Sequence, residues 1–311
     1  MLTLILAALI ALTQPDLQAK GPYDTVADSG HQIAAAVKLA KRDNTRILLH
    51  FGGNWSANCL ELHKLITTDE ALKKLIRDEY QYILIDYGQP PGKNVKLADQ
   101  LWGDHHGKGV PYLTVLDSAG RMYANMPMTD LEGAKSASGT VAYDTAGLIK
   151  FLAANKAPTV AAQAILDKGL AEAKKSDRRV FLHFGAPWCS WCNRLDAWLA
   201  RPDIAPVLAK DFVDIKIDTD RFAGGEAILK KYNAAKESGG IPWFVILDAD
   251  GKPIADSNNS AGQNIGFPSA PDEIAAFGAL LKKTAKSLSQ VEIDKLIATL
   301  RETIAEPAPS R

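Results

Sequence analysis

The segment Trp188-Cys189-Ser190-Trp191-Cys192 holds the clearest capacity for chemistry in this sequence. It directly follows the apolar run Val180 to Phe184, which suits a buried strand, and Ser190 to Ala200 reads as a helix. A cysteine at that junction sits beside unpaired backbone N–H groups and the positive end of the helix dipole, and both stabilise a thiolate. Cys192 lies one helical turn later, within bonding reach of Cys189. An attack by the first sulfur on a substrate disulfide can therefore be resolved by the second. The competing reading of two cysteines at this spacing is half of a zinc site. That site needs a second pair of ligands, whereas the only other cysteine, Cys59, belongs to a different part of the chain. Redox chemistry is the better account, and neither a metal nor an organic cofactor is expected.

The elements that must position this pair recur. Residues 29 to 156 lie against 160 to 286 with the same order of amphipathic segment, apolar strand, Trp-centred turn and Pro-preceded strand. Arg46 to Gly52 matches Arg179 to Gly185 at a spacing of 133, Tyr82 to Asp86 matches Asp214 to Asp218 at 132, and Gly109 to Asp117 matches Gly240 to Asp248 at 131. So small a drift is what loop deletions between fixed elements leave, and it points to a duplicated domain. Each copy reads helix, strand, helix, strand, helix, strand pair, helix. Strands alternating with helices at this spacing imply α/β layers. In the second copy the expected elements are a helix from Ala161 to Lys175, strands at Val180 to Phe184, Val213 to Ile217 and Trp243 to Leu247, and a closing helix from Pro271 to Lys286. The Asp250-Gly251 turn joins the last strand to its hairpin partner. The expected division is 24–156 and 160–286, followed by a charged amphipathic helix and tail over 287–311 that the first copy lacks.

Composition narrows the partners. Apolar residues make up 47% and charged residues 23%, as in an ordinary globular protein of one or two domains at this length of 311 residues. Lys plus Arg and Asp plus Glu both number 36, so no net field draws the chain to nucleic acid or acidic lipid. Residues 2 to 12 form one apolar run, too short to span a bilayer, and a polar stretch then ends in the small Ala19. The run reads as an export signal over 1–19, although no Lys or Arg precedes Lys20. Its removal would leave a periplasmic or secreted protein with no stable membrane association, in a compartment where disulfides form and exchange.

With these residues in view, each copy resembles a thioredoxin domain. The second carries the family's Trp-Cys-x-x-Cys motif and its Ile-Pro motif at Ile241-Pro242. The resemblance is strongest to bacterial exported thioredoxin-like proteins in which the motif region reads Phe-Gly-x-x-Trp-Cys-x-Trp-Cys, and it covers residues 29 to 286. It implies two tandem thioredoxin folds, each a central mixed sheet flanked by helices. It also implies that Cys189 is the exposed nucleophile and Cys192 the resolving thiol. Pro242, expected to be cis, would face the disulfide and offer the Ile241 backbone to a substrate chain. The implied partners are protein or peptide thiols and disulfides, together with an upstream redox partner that recycles the pair.

The sequence departs from that family in two places. Where thioredoxins place a buried acid on the strand before the motif, this chain has His183, and His50 in the first copy. His183 is either a satisfied core residue or a proton carrier for the resolving thiol. The first copy reads Trp55-Ser56-Ala57-Asn58-Cys59, so the nucleophile position holds a serine with no evident base, and that domain is expected to be redox-inactive. Other candidates are weaker. His105-His106 is a loop pair without spaced metal partners, and Trp198, seven residues after Trp191, suits core packing. Trp188 and Trp191 could instead form an apolar rim for a substrate peptide. A second class of function stays open at this point: a peptide-binding or scaffold protein whose disulfide is only structural.

Overall fold

The computed structural model describes residues 21–88, 92–103, 109–135, 137, 139–233 and 240–303. The segment expected to be an export signal, the loop pair His105-His106 and the C-terminal tail lie outside the described residues.

The N-terminal half runs α1 (Ser29–Asp43), β1 (Arg46–Gly52), α2 (Ala57–Thr68), α3 (Glu70–Glu79), β2 (Tyr80–Asp86), α4 (Val95–Trp102), β3 (Tyr112–Leu116), β4 (Met122–Pro127), β5 (Glu132–Lys135), β6 (Val141–Tyr143) and α5 (Thr145–Ala154). The C-terminal half runs α6 (Ala162–Ser176), β7 (Arg179–Gly185), α7 (Ser190–Leu199), α8 (Ala205–Leu208), β8 (Phe212–Asp218), α9 (Gly225–Tyr232), β9 (Trp243–Leu247), β10 (Pro253–Asp256), α10 (Pro271–Thr284) and α11 (Gln290–Thr303). Each half builds one four-stranded sheet, in the orders β2-β1-β3-β4 and β8-β7-β9-β10. In both, the central strand pairs parallel with the strand after the next helices and antiparallel with the strand of the hairpin. The register is also shared: His50 stands opposite Leu113, and His183 opposite Phe244.

β1 and β7 are buried from their second residue onward. Sandwiched between helical layers, they read as continuous apolar runs rather than alternating ones. Alternate residues of β7 face opposite layers: Val180, Leu182 and Phe184 join α6 and α9, whereas Phe181 packs with Leu195, Trp198 and Leu199 of α7.

Three features depart from the expected pattern. An additional helix follows α2 because Asp69 accepts from the backbone N–H groups of Ala71 and Leu72 and starts α3 afresh. A small β5–β6 sheet lies between β4 and α5. And α11 is no appendage. Leu288, Ile293, Leu296 and Leu300 share one buried cluster with Phe181 and Trp198, and Trp198 Nε1 donates to Thr299 Oγ1 at 3.1 Å. The α10–α11 turn is clasped by buried Asp211, which accepts from the backbone N–H groups of Lys286, Ser287 and Leu288. Burial disfavours its charge, but these bonds and the Ser287 hydroxyl outweigh that and hold its carboxyl below the usual range.

Candidate active site

Cys189 is the N-cap of α7, and its sulfur accepts from the Cys192 N–H at 3.1 Å. The two cysteines form a disulfide, with S–S 2.06 Å and Cα–Cα 5.2 Å. Gly185 makes room for it: a Cβ there would stand 3.0 Å from the Cys192 Cβ. Cys189 Sγ lies 3.5 Å from Ile241 O, on the turn that carries the cis Ile241-Pro242 bond. The resemblance implies an exposed nucleophile, but Cys189 is only 6% exposed, against 2% for Cys192. It is enclosed by the helix start and the proline turn.

The residues on either side of Cys189 and Ser190 in the chain are tryptophans. Trp188 and Trp191 are 55% and 47% exposed, whereas Trp198 is buried in the core. Trp188 Nε1 donates to Asp220 Oδ2 at 2.7 Å, and Trp191 stacks on Phe267 with ring centroids 6.2 Å apart. Phe267 and the brace of the proline turn come from the segment after β10, which the sequence pattern did not single out. Within it Asn264 Nδ2 donates to Pro242 O at 2.9 Å, and Ser257 Oγ donates to Asn264 Oδ1 at 2.8 Å.

His183 lies on the same face of β7 as Gly185 and is buried. Carboxylates flank it: Nδ1 is 3.7 Å from Asp196 Oδ1, and Nε2 approaches Asp214 Oδ1 to 3.1 Å. Asp196 projects from α7 four residues after Cys192, and Lys216 Nζ donates to its Oδ2 at 2.5 Å. Neither Asp196 nor Lys216 was picked out from sequence. The available signal was charge at positions where the element turns toward the core: an acid one helical turn beyond a buried cysteine, and a lysine in the run Val213-Asp214-Ile215-Lys216-Ile217.

The N-terminal half places different groups in the same frame. Ser56 caps α2 and accepts from the Cys59 N–H at 3.3 Å. Cys59 is fully buried and unbridged, and burial pushes its thiol up. His50 sits between two phenols, with Nε2 2.8 Å from the Tyr23 hydroxyl and Nδ1 2.8 Å from that of Tyr82. Burial depresses its imidazole to about 3. Tyr23, one residue ahead of the expected domain boundary, is buried in this packing.

A mixed sheet of this order, with a Cys-x-x-Cys disulfide starting the helix after the central strand and a cis-proline turn facing it, defines the thioredoxin class. Residues 148–301 match the family model described as "Thioredox_DsbH: Protein of unknown function, DUF255". That match, over just under half of the chain, and the fold together support a thioredoxin-superfamily protein. No curated protein matches it. Among solved structures it is similar to a disulphide isomerase from Xylella fastidiosa Temecula1, at 28% identity over 43% of this chain and 95% of that one, with a TM-score of 0.35. A thioredoxin from Thermus thermophilus is 22% identical over 29% of this chain and 68% of that one, with a TM-score of 0.25. The oxidised C-terminal domain of DsbD from Neisseria meningitidis is 26% identical over 31% and 85%, with a TM-score of 0.24. Among the described residues no helix is long and apolar enough to cross a membrane, and no group of three or more His, Cys, Asp or Glu could hold a metal ion.

Proposed function

We propose that the chain is an exported protein thiol–disulfide oxidoreductase that works through Cys189 and Cys192, with a redox-inactive N-terminal domain over 24–156 and the active one over 160–286. The observation that carries this reading is the placement of the disulfide: Cys189 sulfur caps α7 and lies 3.5 Å from the Ile241 carbonyl. In the reduced protein the Cys189 thiolate, held by the helix N-terminus, attacks a substrate disulfide. One substrate sulfur bonds to Cys189 and the other leaves as thiolate. Cys192 then loses its proton and displaces the substrate sulfur, which restores the Cys189–Cys192 bond and leaves the substrate reduced by two electrons. Run backwards, the same steps oxidise a dithiol substrate. The exposed Trp188 and Trp191 and the Ile241-Pro242 turn supply an apolar rim and backbone for a protein or peptide chain. An upstream redox partner completes the cycle.

The resolving thiol must shed a proton, and we assign its acceptance to the His183–Asp196 pair on the face of α7 that carries Cys192. A His183→Leu variant then resolves its mixed disulfide more slowly than the wild type. Lifetimes unchanged at every pH would leave His183 as packing. For the reaction as a whole the test is capture: Cys192→Ser should accumulate mixed disulfides through Cys189 with extracytoplasmic proteins. Failure to trap any, together with a reduction potential below about −300 mV, would instead mark a structural bond.

A further inference from the structure

α1 ends at the contact between the halves, and its last two residues reach beneath the active-site helix. Asp43 is 5% exposed although it occupies the last turn of α1, where the helix dipole disfavours an acid. A buried carboxylate needs partners to persist. Arg42 supplies two, with Nε and Nη2 donating to Asp43 Oδ1 and Oδ2 at 2.8 Å each. Lys216, from β8 of the other half, donates to Asp43 Oδ1 at 2.9 Å while holding Asp196 Oδ2 at 2.5 Å. Arg42 Nη2 is itself 3.6 Å from Asp196 Oδ2. Burial disfavours the Arg42 charge, yet its hydrogen bonds to Asp43 and the charges of Asp43, Asp196 and Asp214 raise the guanidinium above its ordinary value. Two carboxylates from opposite halves thus share two cations, with His183 against the same Asp196.

We propose that Asp43 is a positioning residue for the redox pair, so that docking of the N-terminal half sets how readily the active-site thiols ionise. This rests on the reading of Cys189 and Cys192 as that pair. Asp196 stands four residues from Cys192 on one helix face, where side chains are about 5–6 Å apart at Cβ. With Asp43 in place the two acids and two bases balance. Without its charge, Lys216 and Arg42 leave one positive charge uncompensated under α7, and the thiolate is favoured. For a unit charge on the order of 10 Å away, at an effective dielectric between those of a protein surface and water, Coulomb's law gives a downward movement of the thiol titration by about half a pH unit. The other charged groups facing the cluster are Asp214 on β8, beside His183, and Asp218 with Arg221 at the end of β8. Arg221 also joins the halves by itself, donating to Asp43 O and Asn44 O and pairing with Glu79 at 3.0 Å. That second link touches the Asp43 backbone but not its carboxylate, which separates docking from charge.

The test uses the reduced full-length chain and reads alkylation of Cys189 by iodoacetamide against pH, with the labelled site identified by mass. Asp43→Asn should lower the midpoint by about half a unit and shift the equilibrium with glutathione toward the reduced protein by about threefold, the same half unit expressed as a ratio. Arg42→Gln should move the midpoint the opposite way. Glu79→Gln, which weakens the contact between halves outside the cluster, should leave it unchanged. An unmoved midpoint in Asp43→Asn, equal shifts in Glu79→Gln, or a shift of the same sign in both cluster variants overturns the proposal. Wild-type protein that exchanges no disulfides would sink the oxidoreductase reading, yet its thiol titration would still decide the role of Asp43.

Discussion

His50 and His183 stand at the same register position of two sheets built in the same order, and their surroundings are opposite in kind. His50 is caged by the hydroxyls of Tyr23 and Tyr82, whereas His183 faces the carboxylates of Asp196 and Asp214. One frame therefore holds a neutral imidazole that completes a buried hydrogen-bond chain, and the other an imidazole beside charges. The cysteines differ in step with this. Where the histidine is caged, Ser56 replaces the first thiol and Cys59 is sealed. Where the histidine meets acids, both thiols remain. The fold supplies a helix start and a cis-proline turn, at Val110-Pro111 and Ile241-Pro242, to both halves, which differ in a few side chains around the helix start.

The sharpest way to break this contrast is to exchange the serine and the cysteine. Cys189→Ser should abolish disulfide exchange altogether, because Cys192 is more deeply enclosed and has no helix-start amides to hold a thiolate. The reciprocal Ser56→Cys should form a bond to Cys59, since Ser56 already occupies the cap position that Cys189 holds. Thiol counting on the denatured oxidised protein checks it: one free thiol in the wild type and none in the variant are expected. Activity in Cys189→Ser equal to the wild type would overturn the assignment of the nucleophile.

A smaller effect tests the His50 cage by pH. Folded His50 stays neutral down to about 3, whereas in the unfolded chain it titrates near about 6.5. Between those values only the unfolded chain takes up the proton, so the stabilisation is complete above the upper value. It is lost on acidification at about 1.4 kcal/mol per pH unit. His50→Gln keeps hydrogen-bonding capacity for both tyrosines but cannot titrate. Urea unfolding at pH 6.5 and 4.5 should show the wild type losing about 2–3 kcal/mol more than the variant. Equal losses would mean that the cage does not exclude the charged imidazole.

The halves also differ in α11, present only in the second. Asp211→Ala removes the carboxylate that accepts three backbone N–H groups at the α10–α11 turn and leaves them without it. The expected cost is about 2 kcal/mol, the loss of buried charge-assisted bonds. Because α11 packs on Trp198 of α7, proteolysis at 287–303 should rise together with Trp198 fluorescence changes. A variant as resistant as the wild type would show that apolar packing alone holds the helix.

Much of this was legible in the sequence, and the parts that were not share a cause. The Cys-x-x-Cys, the apolar central strands and the near-constant spacing between copies are local or periodic signals, and they placed β1, β7 and α7 correctly. Asp43, Asp196 and Lys216 meet from an α1 terminus, a helix and an edge strand, a convergence that no spacing rule encodes. The same holds for Tyr23, which precedes the first helix and finds His50 only through the tertiary fold. The brace of the proline turn by Asn264 came from a segment without regular periodicity. The accessibility of Cys189 also depended on tertiary enclosure, which the motif by itself does not report.

The smallest expected effect bears on whether the N-terminal half takes any part in electron transfer. Cys59 is fully buried in the first turn of α2, its thiol is pushed up by burial, and a Cβ at Gly52 would meet its sulfur at 2.9 Å and collide with the Tyr23 hydroxyl. So tightly filled a site acts as packing, since a protonated thiol without solvent access is neither a nucleophile nor a ready electron carrier. Cys59→Ala removes one buried sulfur and should cost about 1 kcal/mol of stability, with disulfide exchange by Cys189 and Cys192 unchanged. Thermal unfolding and a turnover assay on the same preparation separate the two. Lost turnover in a folded Cys59→Ala protein would make Cys59 a relay to the second domain, and the contrast drawn between the halves would then have to be replaced by a shared pathway.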